Sequence, residues 1–589
     1  MNAICISSDQ LVDDNRRHFR VSAGPGAGKT YWLVKQIQHV IRNSSRLVPC
    51  TRIACISYTN VAVRKITHDL DLFSDRVEVS TIHSFLYSNV VNPYLYLLKG
   101  EDGESLVNYA SVNRVTEHRP AFDKVESWLR SVNPRNVGFF YQDSGATVEY
   151  LKKVTWQLDK STGNWYLKPM VPVKPVQYLP TLSLDISYKL QYWREGVIDY
   201  DDVLYFSYRI LDENPVIQEF LSARYPYIFI DEFQDTNPIQ TQVVHWFAEQ
   251  GTIVGVIGDL EQSIYKFQGA RREDFEDFQL PGQIDYTIPY NRRSTERIIT
   301  FLNQLRTDAL EQEGYREVEG EPVRFYVGEI EQIVPEIIRT IPDEEQLVIL
   351  ARKNKEVDRA RRLAGEVISD VWGEFEEIDK YRFRFIESLI TAGELARHKE
   401  YSVAIKTLFL GIRVEKDPFR FAGSITDIER RGLSISLLEF LLDKHEDLLE
   451  KSLLEFYQLT SEFLGENVEG LKLKGVRSGR FKTFAESVEY EGLASTVNLT
   501  EDVRNTRTIH KAKADDFNNV LVYFEDEEQS NRWLRHILDS SNNISESNEE
   551  DRIIYVACSR AIERLYIAIP VLADEYEDKL NNEIEVHRI

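Results

Sequence analysis

A glycine-rich turn that ends in a lysine and a threonine is the first group of residues whose types and spacing fit a chemical task. It occupies residues 21–30, between an apolar, strand-like run and a helical pattern. Backbone N–H groups of such a turn can close around phosphate oxygens, and the start of the helix favours the same negative charge. A strict pattern would have glycine in place of Ala23, and a structural turn is the alternative interpretation. The predicted phosphate-binding residues are Ala23, Gly24, Gly26, Ala27, Gly28, Lys29, whose ammonium can reach the β- and γ-phosphates, and Thr30, whose hydroxyl can ligate Mg²⁺.

A pair of carboxylates follows a second apolar strand. The segment 227–230 is continuously apolar and leads directly into Asp231 and Glu232. A parallel strand that is buried on both faces has this composition and presents acids at its carboxyl end. We expect Asp231 to hold Mg²⁺ and Glu232 to orient or deprotonate the attacking water. A solvated turn is the alternative interpretation, but the preceding phosphate loop favours the metal and water site.

Polar and aromatic side chains follow further predicted strands and are candidates for contact with nucleic acid. Hydroxyl, amide and imidazole groups suit backbone phosphates, whereas aromatic rings suit stacked bases. Gln262 can sense the γ-phosphate. Aromatic residues that follow it closely could stack on a base, so this segment would couple the state of the nucleotide to base binding. A structural role is the simpler interpretation of His83 taken alone. The candidates are Tyr58, Thr59, Asn60, His83, Tyr265 and Phe267.

Two other polar residues are candidates for the nucleotide site. A glutamine amide can bond both a donor and an acceptor on an adenine edge, so Gln10 is a candidate adenine-binding residue. Arg560 is predicted to lie on a helix over residues 551–561, from which a second lobe could bring its guanidinium to the nucleotide of the first. Such an arginine stabilises charge on a transferring phosphoryl group. A surface position is the ordinary place of a lone arginine on a helix.

Strands that alternate with helices position these residues and predict an α/β fold with parallel sheets. Residues 1–90 and 196–285 are expected to form a first domain, and residues 286–364 and 496–589 a second. Residues 91–195 and the leucine-rich, helical residues 365–495 are expected to be insertions.

More local elements can also be predicted from the sequence. Residues 154–167 predict a hairpin with its turn near 161–164, and a proline-rich segment follows it. Strands of the second domain are expected near residues 323–327, 346–350, 519–524 and 564–569.

Composition narrows the class of protein. With 71 basic and 95 acidic residues among 589, the formal net charge is −24, so nucleic acid would have to bind at local basic surfaces. The segment Lys472–Lys482 has five basic residues and no acid; a solvated loop is the favoured interpretation and DNA contact the alternative. The four cysteines are scattered, which favours reduced thiols over a zinc or iron–sulfur site. We see no signal peptide and no apolar run of about 18 residues, so we expect a cytoplasmic protein without a membrane partner.

Eight segments in a fixed order together resemble the UvrD/Rep/PcrA branch of superfamily 1 DNA helicases. They are AGPGAGKT, SYTNVA, STIHSF, IDEFQDTNPIQ, GDLEQSIYKFQGA, NRRST, TIHKAKADDF and YVACSRA. The resemblance runs from Gln10 to Ala561 and is absent only from the two insertions. It implies two RecA-like P-loop domains, each with an inserted, mostly helical accessory domain, and ATP with Mg²⁺ between them. It also implies single-stranded DNA, or DNA with a 3′ tail, as the partner and movement from 3′ to 5′.

The resemblance gives each matching position a role. Gln10 corresponds to the adenine-binding residue and Gln262 to the γ-phosphate sensor. Arg293 and Arg560 correspond to two arginines that reach the nucleotide from the second domain. The phosphate, metal and water site is matched by Lys29, Thr30, Asp231 and Glu232, and the DNA-facing positions are matched by Tyr58, Asn60, His83, Tyr265, Phe267 and His510.

The sequence also departs from the family pattern. The family often has arginine after the phosphate-loop threonine and tyrosine before the arginine that Arg293 matches, and these two side chains sandwich adenine. Here Tyr31 stands where the family has arginine, and Arg292 stands where it has tyrosine. We expect the sandwich to survive with its faces exchanged, because arginine stacks on π systems as an aromatic ring does. Other departures are Gln268 for an arginine that contacts DNA or couples the domains, and Ala514 and Asp516 for glycine and glutamate near the ribose and the backbone.

An ATP-driven 3′-to-5′ DNA helicase or translocase, acting in DNA repair or anti-phage defence, is the expected function. The alternative is an ATP-gated, DNA-sensing subunit of a nuclease complex with little unwinding, which the acidic charge, the short second insertion and Gln268 also fit. Compact UvrD-like helicases of anti-phage systems such as Gabija, which accompany a separate nuclease of the TOPRIM/OLD type, resemble this chain in size. A fused helicase–nuclease is not expected, because residues 562–589 are too few for a nuclease domain. A binding module without catalysis conflicts with the intact ATPase residues.

Overall fold

The computed structural model describes most of the chain from residue 3 to residue 589. The residues outside the description are 1–2, 14, 101–102, 113–114, 117, 119, 121, 133–136, 160–164, 170–183, 267–268, 343, 364–370, 398–399, 415–416, 422, 424, 495–505, 539–548 and 578–583. The contacts divide the chain into two compact units, residues 1–357 with 508–589, and residues 358–507. No helix among the described residues is long and apolar enough to cross a bilayer.

The amino-terminal segment alternates short strands with helices. Its elements are β1 (Ile4–Cys5), β2 (Phe19–Ala23), α1 (Lys29–Asn43), β3 (Ile53–Ser57), α2 (Asn60–Leu70), β4 (Val77–Thr81), α3 (Ile82–Leu86) and α4 (Asn92–Tyr94). Helix α1 buries Trp32, Leu33 and Ile37 on one face, which is the helical spacing seen in the sequence. This packing fixes the start of α1 at the end of β2, where the phosphate loop lies.

An insertion of helices and one hairpin follows. It comprises β5 (Val115–Thr116), α5 (Phe122–Val132), α6 (Val137–Gln142), α7 (Ser144–Lys152), β6 (Val154–Leu158), β7 (Trp165–Pro169) and α8 (Ile186–Trp193). Strands β6 and β7 are antiparallel, with Trp156 opposite Leu167, so the predicted hairpin is confirmed. Its turn and most of the proline-rich segment lie outside the described residues.

The chain then returns to the first sheet. Its next elements are β8 (Ile198–Asp199), α9 (Tyr200–Glu213), α10 (Pro215–Arg224), β9 (Tyr227–Ile230), α11 (Pro238–Glu249), β10 (Ile253–Gly258), α12 (Arg272–Glu276) and β11 (Ile284–Ile288). The strand order is β1-β11-β2-β10-β9-β3-β4, and all neighbours are parallel. Every residue of β3, β9 and β10 is buried, as parallel strands covered on both faces require. Strands β2, β9 and β10 are adjacent, so their carboxyl ends meet at one edge.

A second parallel sheet begins after this one. Its first elements are β12 (Tyr290–Asn291), α13 (Glu296–Leu305), β13 (Glu313–Gly314), β14 (Val323–Val327), α14 (Ile330–Thr340), β15 (Leu347–Ala351) and α15 (Asn354–Leu363). The short strands β12 and β13 pair with each other in parallel, outside the main sheet.

The compact unit 358–507 is mostly helical, as expected for the second insertion. Its elements are α16 (Val371–Ile378), α17 (Lys380–Arg397), α18 (Tyr401–Gly411), β16 (Phe419–Arg420), α19 (Asp427–Asp443), α20 (His445–Leu449), α21 (Leu453–Asn467), β17 (Lys472–Leu473), α22 (Arg480–Ser487) and α23 (Tyr490–Ala494). It has its own apolar core around Phe375, Leu389 and Leu437. The basic segment runs from β17 into α22, and its residues Lys472, Lys474, Arg477 and Arg480 are exposed.

The carboxy-terminal segment completes the second sheet. It contributes β18 (Thr506–Thr508), α24 (Ile509–Ala512), β19 (Phe517–Tyr523), α25 (Glu527–Leu538), α26 (Glu549–Cys558), β20 (Ala561–Ile569), α27 (Asp574–Glu577) and β21 (Ile584–Arg588). The strand order is β18-β15-β19-β20-β14-β21. Four predicted strands are confirmed as β14, β15, β19 and β20. We call the part built on the first sheet the first lobe and the part built on this sheet the second lobe.

Candidate nucleotide and nucleic-acid site

The phosphate loop forms a turn whose backbone needs glycine. Gly26 and Gly28 have φ values of 70° and 80°, in the left-handed region that other residues rarely adopt. Gly28 is also the N-cap of α1 and offers no side chain to its free N–H groups, so these can serve a bound anion. The Lys29 ammonium folds over the loop and donates to the carbonyls of Ala23 and Gly24 at 3.3 and 3.2 Å. The structure thus gives residues 23–30 the form of a phosphate-binding loop.

Residues of the second lobe lie directly on this loop. The backbone N–H of Arg292 donates to the Gly26 carbonyl at 2.9 Å, and the Gln312 amide donates to the Pro25 carbonyl at 2.9 Å. A Cβ at Gly24 would be 2.3 Å from Gln312 Nε2. No sequence pattern indicated Gln312, because a lone glutamine between a helix and a short strand has no characteristic spacing.

The carboxylate pair lies at the carboxyl end of β9, and its two members have opposite electrostatics. Burial raises the pKa of Asp231 to about 7, and the neighbouring Glu232 charge adds to the rise. Burial acts the same way on Glu232, but Lys29 and Lys513 outweigh it and hold the pKa of that carboxyl below its usual value. Glu232 is therefore the carboxylate of the pair that stays ionised more readily, which suits a base. Thr30 lies in the first turn of α1 and is half-buried.

A chain of hydrogen bonds connects the candidate base to the second lobe. Gln234 donates from its amide to Glu232 and accepts at its Oε1 from the Asp259 backbone N–H at 3.1 Å. Gln262 donates to Asp259 Oδ2 at 2.9 Å, and its Oε1 lies 3.4 Å from an Arg560 Nη atom that can donate to it. The bonds run from one lobe to the other through Gln262, so this side chain can transmit a change at either end.

The two candidate arginines lie together at the edge of the second lobe. Arg293 donates to the Ser559 carbonyl at 3.0 Å and pairs with Asp516 at 2.8 Å, while Arg560 lies 3.9 Å from the same carboxylate. Burial, and then the nearby Arg560 charge, lower the pKa of Arg293 to about 10. Asp516 therefore offsets the repulsion between the buried Arg560 guanidinium and the half-buried Arg293 guanidinium.

Arg560 does not lie on the helix that the sequence predicted for residues 551–561. Helix α26 ends at Cys558, and β20 begins at Ala561. The Arg560 carbonyl already accepts from the Phe517 backbone N–H of the neighbouring strand at 2.9 Å, which draws this residue out of the helix. Its side chain turns back, and Nε donates to the Val556 carbonyl at 3.1 Å.

A buried ion pair that the sequence did not indicate joins the two lobes beside Gln262. Arg306, which follows α13, contacts Asp259 at 3.0 Å, and the two side chains are 2% and 0% exposed. Asp308 and the Tyr555 hydroxyl also accept from Arg306. Asp259 thus binds both Arg306 of the second lobe and Gln262 of the first.

The candidate base-binding residues lie around the turn that precedes β2. The side chain of Gln10 is exposed, and its carbonyl accepts from the Trp32 indole at 2.9 Å. Tyr31 is 51% exposed at the start of α1. Arg292 pairs with Asp9, and its guanidinium carbon lies 3.8 Å from the centre of the Tyr315 ring. Tyr315 has no counterpart among the sequence-predicted residues.

Three of the candidate nucleic-acid contacts form one cluster. The rings of Tyr58 and Tyr265 stack at 4.7 Å with 27° between their planes, and His510 meets Tyr265 edge-on at 6.1 Å. The Lys513 ammonium lies 4.6 Å from the Tyr265 ring and pairs with Asp235. Because Tyr265 is only 9% exposed, its ring is mostly covered in this arrangement.

The other candidate nucleic-acid residues are placed separately. Thr59 is the N-cap of α2 and accepts from the Ala62 N–H at 3.2 Å, and Asn60 is exposed beside it. Burial lowers the pKa of His83 to about 4, and its ring meets Tyr200 edge-on at 5.9 Å. His83 is therefore neutral at physiological pH. Phe267 and Gln268 lie outside the described residues.

Known proteins resemble this chain over different stretches. Residues 7–281 match the family model of the UvrD/REP helicase N-terminal domain. Gabija protein GajB of Bacillus cereus (strain HuB5-5) is 24% identical over an alignment of 571 positions, gaps included, that covers 88% of this chain and 78% of that protein. The putative ATP-dependent DNA helicase YjcD of Bacillus subtilis (strain 168) is 22% identical over an alignment of 623 positions, gaps included, that covers 96% of this chain and 79% of that protein.

A third relative matches a shorter stretch. The ATP-dependent DNA helicase PcrA of Bacillus subtilis (strain 168) is 24% identical over 295 residues, 48% of this chain and 36% of that protein. The family match includes the phosphate loop, the carboxylate pair and Gln262. Residues 7–281 are therefore similar to the UvrD/REP helicase N-terminal domain, and the chain resembles UvrD/Rep/PcrA-like helicases.

Proposed function

We propose that the protein hydrolyses ATP to move from 3′ to 5′ along single-stranded DNA and to displace the complementary strand. The observation that carries this proposal is the hydrogen-bond chain from Glu232 through Gln262 to Arg560, which joins the candidate base to the second lobe. A site of this kind is complete only when the two lobes are together, so hydrolysis would follow their relative movement. The relatives named as ATP-dependent DNA helicases support the same activity.

The residues of the first lobe fit a nucleoside triphosphate. The start of α1, which has no side-chain cap, leaves backbone N–H groups for phosphate oxygens. Lys29 would leave its two loop carbonyls for the β- and γ-phosphates. Mg²⁺ held by Thr30 and Asp231 would neutralise phosphate charge.

The remaining catalytic roles fall to residues around the carboxylate pair. Glu232, ionised and held by Gln234, would orient and deprotonate the attacking water. Arg293 and Arg560 would stabilise the charge that develops on the transferring phosphoryl group. Gln262 would report the γ-phosphate to the second lobe.

Strand movement would use the cluster of Tyr58, Tyr265 and His510. Tyr265 follows Gln262 by three residues, so a shift of Gln262 would be passed to the aromatic ring through a short segment. Base–aromatic stacking contributes about 1–3 kcal/mol per base, which is enough to hold a strand and small enough to release it. Opening one DNA step costs about 1.4 kcal/mol on average, so one ATP per base is sufficient. Thr59, Asn60 and His83 would contact the backbone.

The domain organisation is part of the same proposal. Residues 1–90 with 196–285 and residues 286–364 with 496–589 would be the two RecA-like ATPase domains. Residues 91–195 and 365–495 would be their accessory domains. With these domain boundaries, both RecA-like domains contribute residues to the ATP site.

DNA-stimulated ATP turnover tests the proposal. We expect single-stranded DNA to raise the wild-type rate of ATP turnover at least about tenfold. Lys29→Ala should abolish ATP turnover. Lys152→Ala, which changes an exposed lysine of the insertion, is the matched control and should retain the wild-type rate. A turnover that ignores DNA, or that survives Lys29→Ala, contradicts the proposal.

A DNA-sensing subunit of a nuclease complex is the second candidate, and the similarity to Gabija protein GajB over 88% of the chain favours it. In that case a separate nuclease, of the TOPRIM/OLD type, would be the partner, and the role would be anti-phage defence. Strand displacement with and without co-purified proteins separates the two candidates. ATP turnover that DNA stimulates, without displacement in either preparation, would favour the sensor.

A further inference from the structure

Arg292 is held by one backbone contact and by two contacts of its guanidinium. Its backbone N–H donates to the Gly26 carbonyl of the phosphate loop at 2.9 Å. One terminal nitrogen pairs with the Asp9 carboxylate, next to Gln10. The guanidinium carbon lies over the Tyr315 ring, 3.8 Å from the ring centre. Its Nε is buried and has no hydrogen-bond partner among the described residues.

Tyr315 is itself placed by the chain that carries Arg292. Strands β12 and β13 pair in parallel, with Asn291 opposite Gly314, and the Tyr315 N–H donates to the Asn291 carbonyl at 3.0 Å. Gly314 has no room for a side chain, because a Cβ would be 1.8 Å from a Glu296 carboxylate oxygen. Tyr315 is 51% exposed, and besides Arg292 its ring meets the Tyr290 ring edge-on at 6.5 Å.

We propose that Tyr315 is a positioning residue for the nucleobase of the nucleoside triphosphate. It supports one face of the Arg292 guanidinium so that the opposite face can stack on the base, while Asp9 fixes the guanidinium in its plane. This inference rests on the proposed ATP site. In the expected sandwich the base lies between Tyr31 and Arg292, and Tyr315 is added behind Arg292.

The physical reason is preorganisation. A free arginine side chain has many rotamers, and holding one of them before binding reduces the entropy lost when the base arrives. A guanidinium attracts π systems on both faces, so Tyr315 and the base can bind to it together. Removal of the Tyr315 ring should therefore weaken base binding and leave phosphate binding unchanged.

The test compares a ligand with a base to one without. Calorimetry measures the Kd of a non-hydrolysable ATP analogue and of inorganic tripolyphosphate for the wild type, Tyr315→Leu and Tyr315→Phe. We expect Tyr315→Leu to raise the Kd of the ATP analogue about fivefold and to leave that of tripolyphosphate unchanged. Tyr315→Phe keeps the ring and should restore wild-type affinity. The turnover assay should show a raised KM with kcat within about twofold.

Ile338→Ala is the matched control, because this side chain is 48% exposed on the same lobe and lies on α14. It should change neither Kd. Equal losses for both ligands in Tyr315→Leu would mean that the ring supports the phosphate loop, and the inference would be wrong; no loss for either ligand overturns it as well. A wild type that binds the ATP analogue but does not hydrolyse ATP contradicts the proposed function instead, and the binding comparison can still be interpreted.

Discussion

Replacement of Asp231 by asparagine should stabilise the nucleotide-free protein at pH 8, although Asp231 is a proposed metal ligand. Asp231 is 3% exposed, and burial and Glu232 raise its pKa from 3.8 to about 7. The shift is about three pKa units, which corresponds to roughly 4 kcal/mol at 1.36 kcal/mol per unit. This is the order of magnitude of the free energy that the folded state spends on keeping the carboxylate ionised.

The pH dependence has a definite sign. The unfolded chain releases the Asp231 proton near pH 4, whereas the folded protein keeps it until about pH 7. Between these values the folded state binds more protons, so its stability falls as pH rises, and it levels off above pH 7. Asparagine does not titrate, so the advantage of Asp231→Asn should be absent near pH 4, grow up to pH 7 and then remain constant.

Thermal unfolding without Mg²⁺ or nucleotide, at pH 5 and pH 8, measures the effect. We expect Asp231→Asn to raise the midpoint at pH 8 by several degrees and by clearly less at pH 5. Glu232→Gln is the matched control, because Glu232 is its buried neighbour but has a lowered pKa, so loss of its charge should not stabilise. An equal gain at both pH values, no gain at pH 8, or the same gain in Glu232→Gln would refute this electrostatic account.

Three further predictions concern the contacts between the lobes and the ligands. Arg306→Met should destabilise the protein by about 3–5 kcal/mol, because it leaves Asp259 buried and unpaired. Adding Asp259→Asn should recover part of the lost thermal midpoint. If the effects of the two changes were fully additive, the stabilising role of this ion pair would be contradicted. Tyr58→Leu should weaken binding of labelled single-stranded DNA by about 1–3 kcal/mol, and an unchanged Kd would remove Tyr58 from the strand contacts. Tyr31→Ala should raise the KM for ATP, and the exchanged sandwich is wrong if the KM stays the same.

The sequence predicted those parts of the site that depend on local spacing. A glycine-rich turn ending in Lys29 has one geometry between a strand and a helix, and Asp231 follows a strand too apolar to be exposed. Parallel pairing then brings these segments to one edge, because β2, β9 and β10 are adjacent. The family resemblance predicted roles for the remaining segments, which local spacing alone did not.

The contacts that the sequence did not predict join residues far apart in the chain. Gln312 meets Pro25, Arg306 meets Asp259, and no periodicity or motif relates the members of either pair. The stacking of Tyr265 on Tyr58 is a further contact of this kind, since no motif relates the two rings.

Strand displacement with tails of opposite polarity tests the central claim most directly. The substrates are two duplexes that differ only in carrying a 3′ or a 5′ single-stranded tail, and the proteins are the wild type and Glu232→Gln, with ATP binding measured for both. Our account predicts that the wild type displaces the strand of the 3′-tailed duplex when ATP is present, and that Glu232→Gln binds ATP but displaces neither. Displacement by Glu232→Gln, or equal displacement of the 5′-tailed duplex by the wild type, would contradict it.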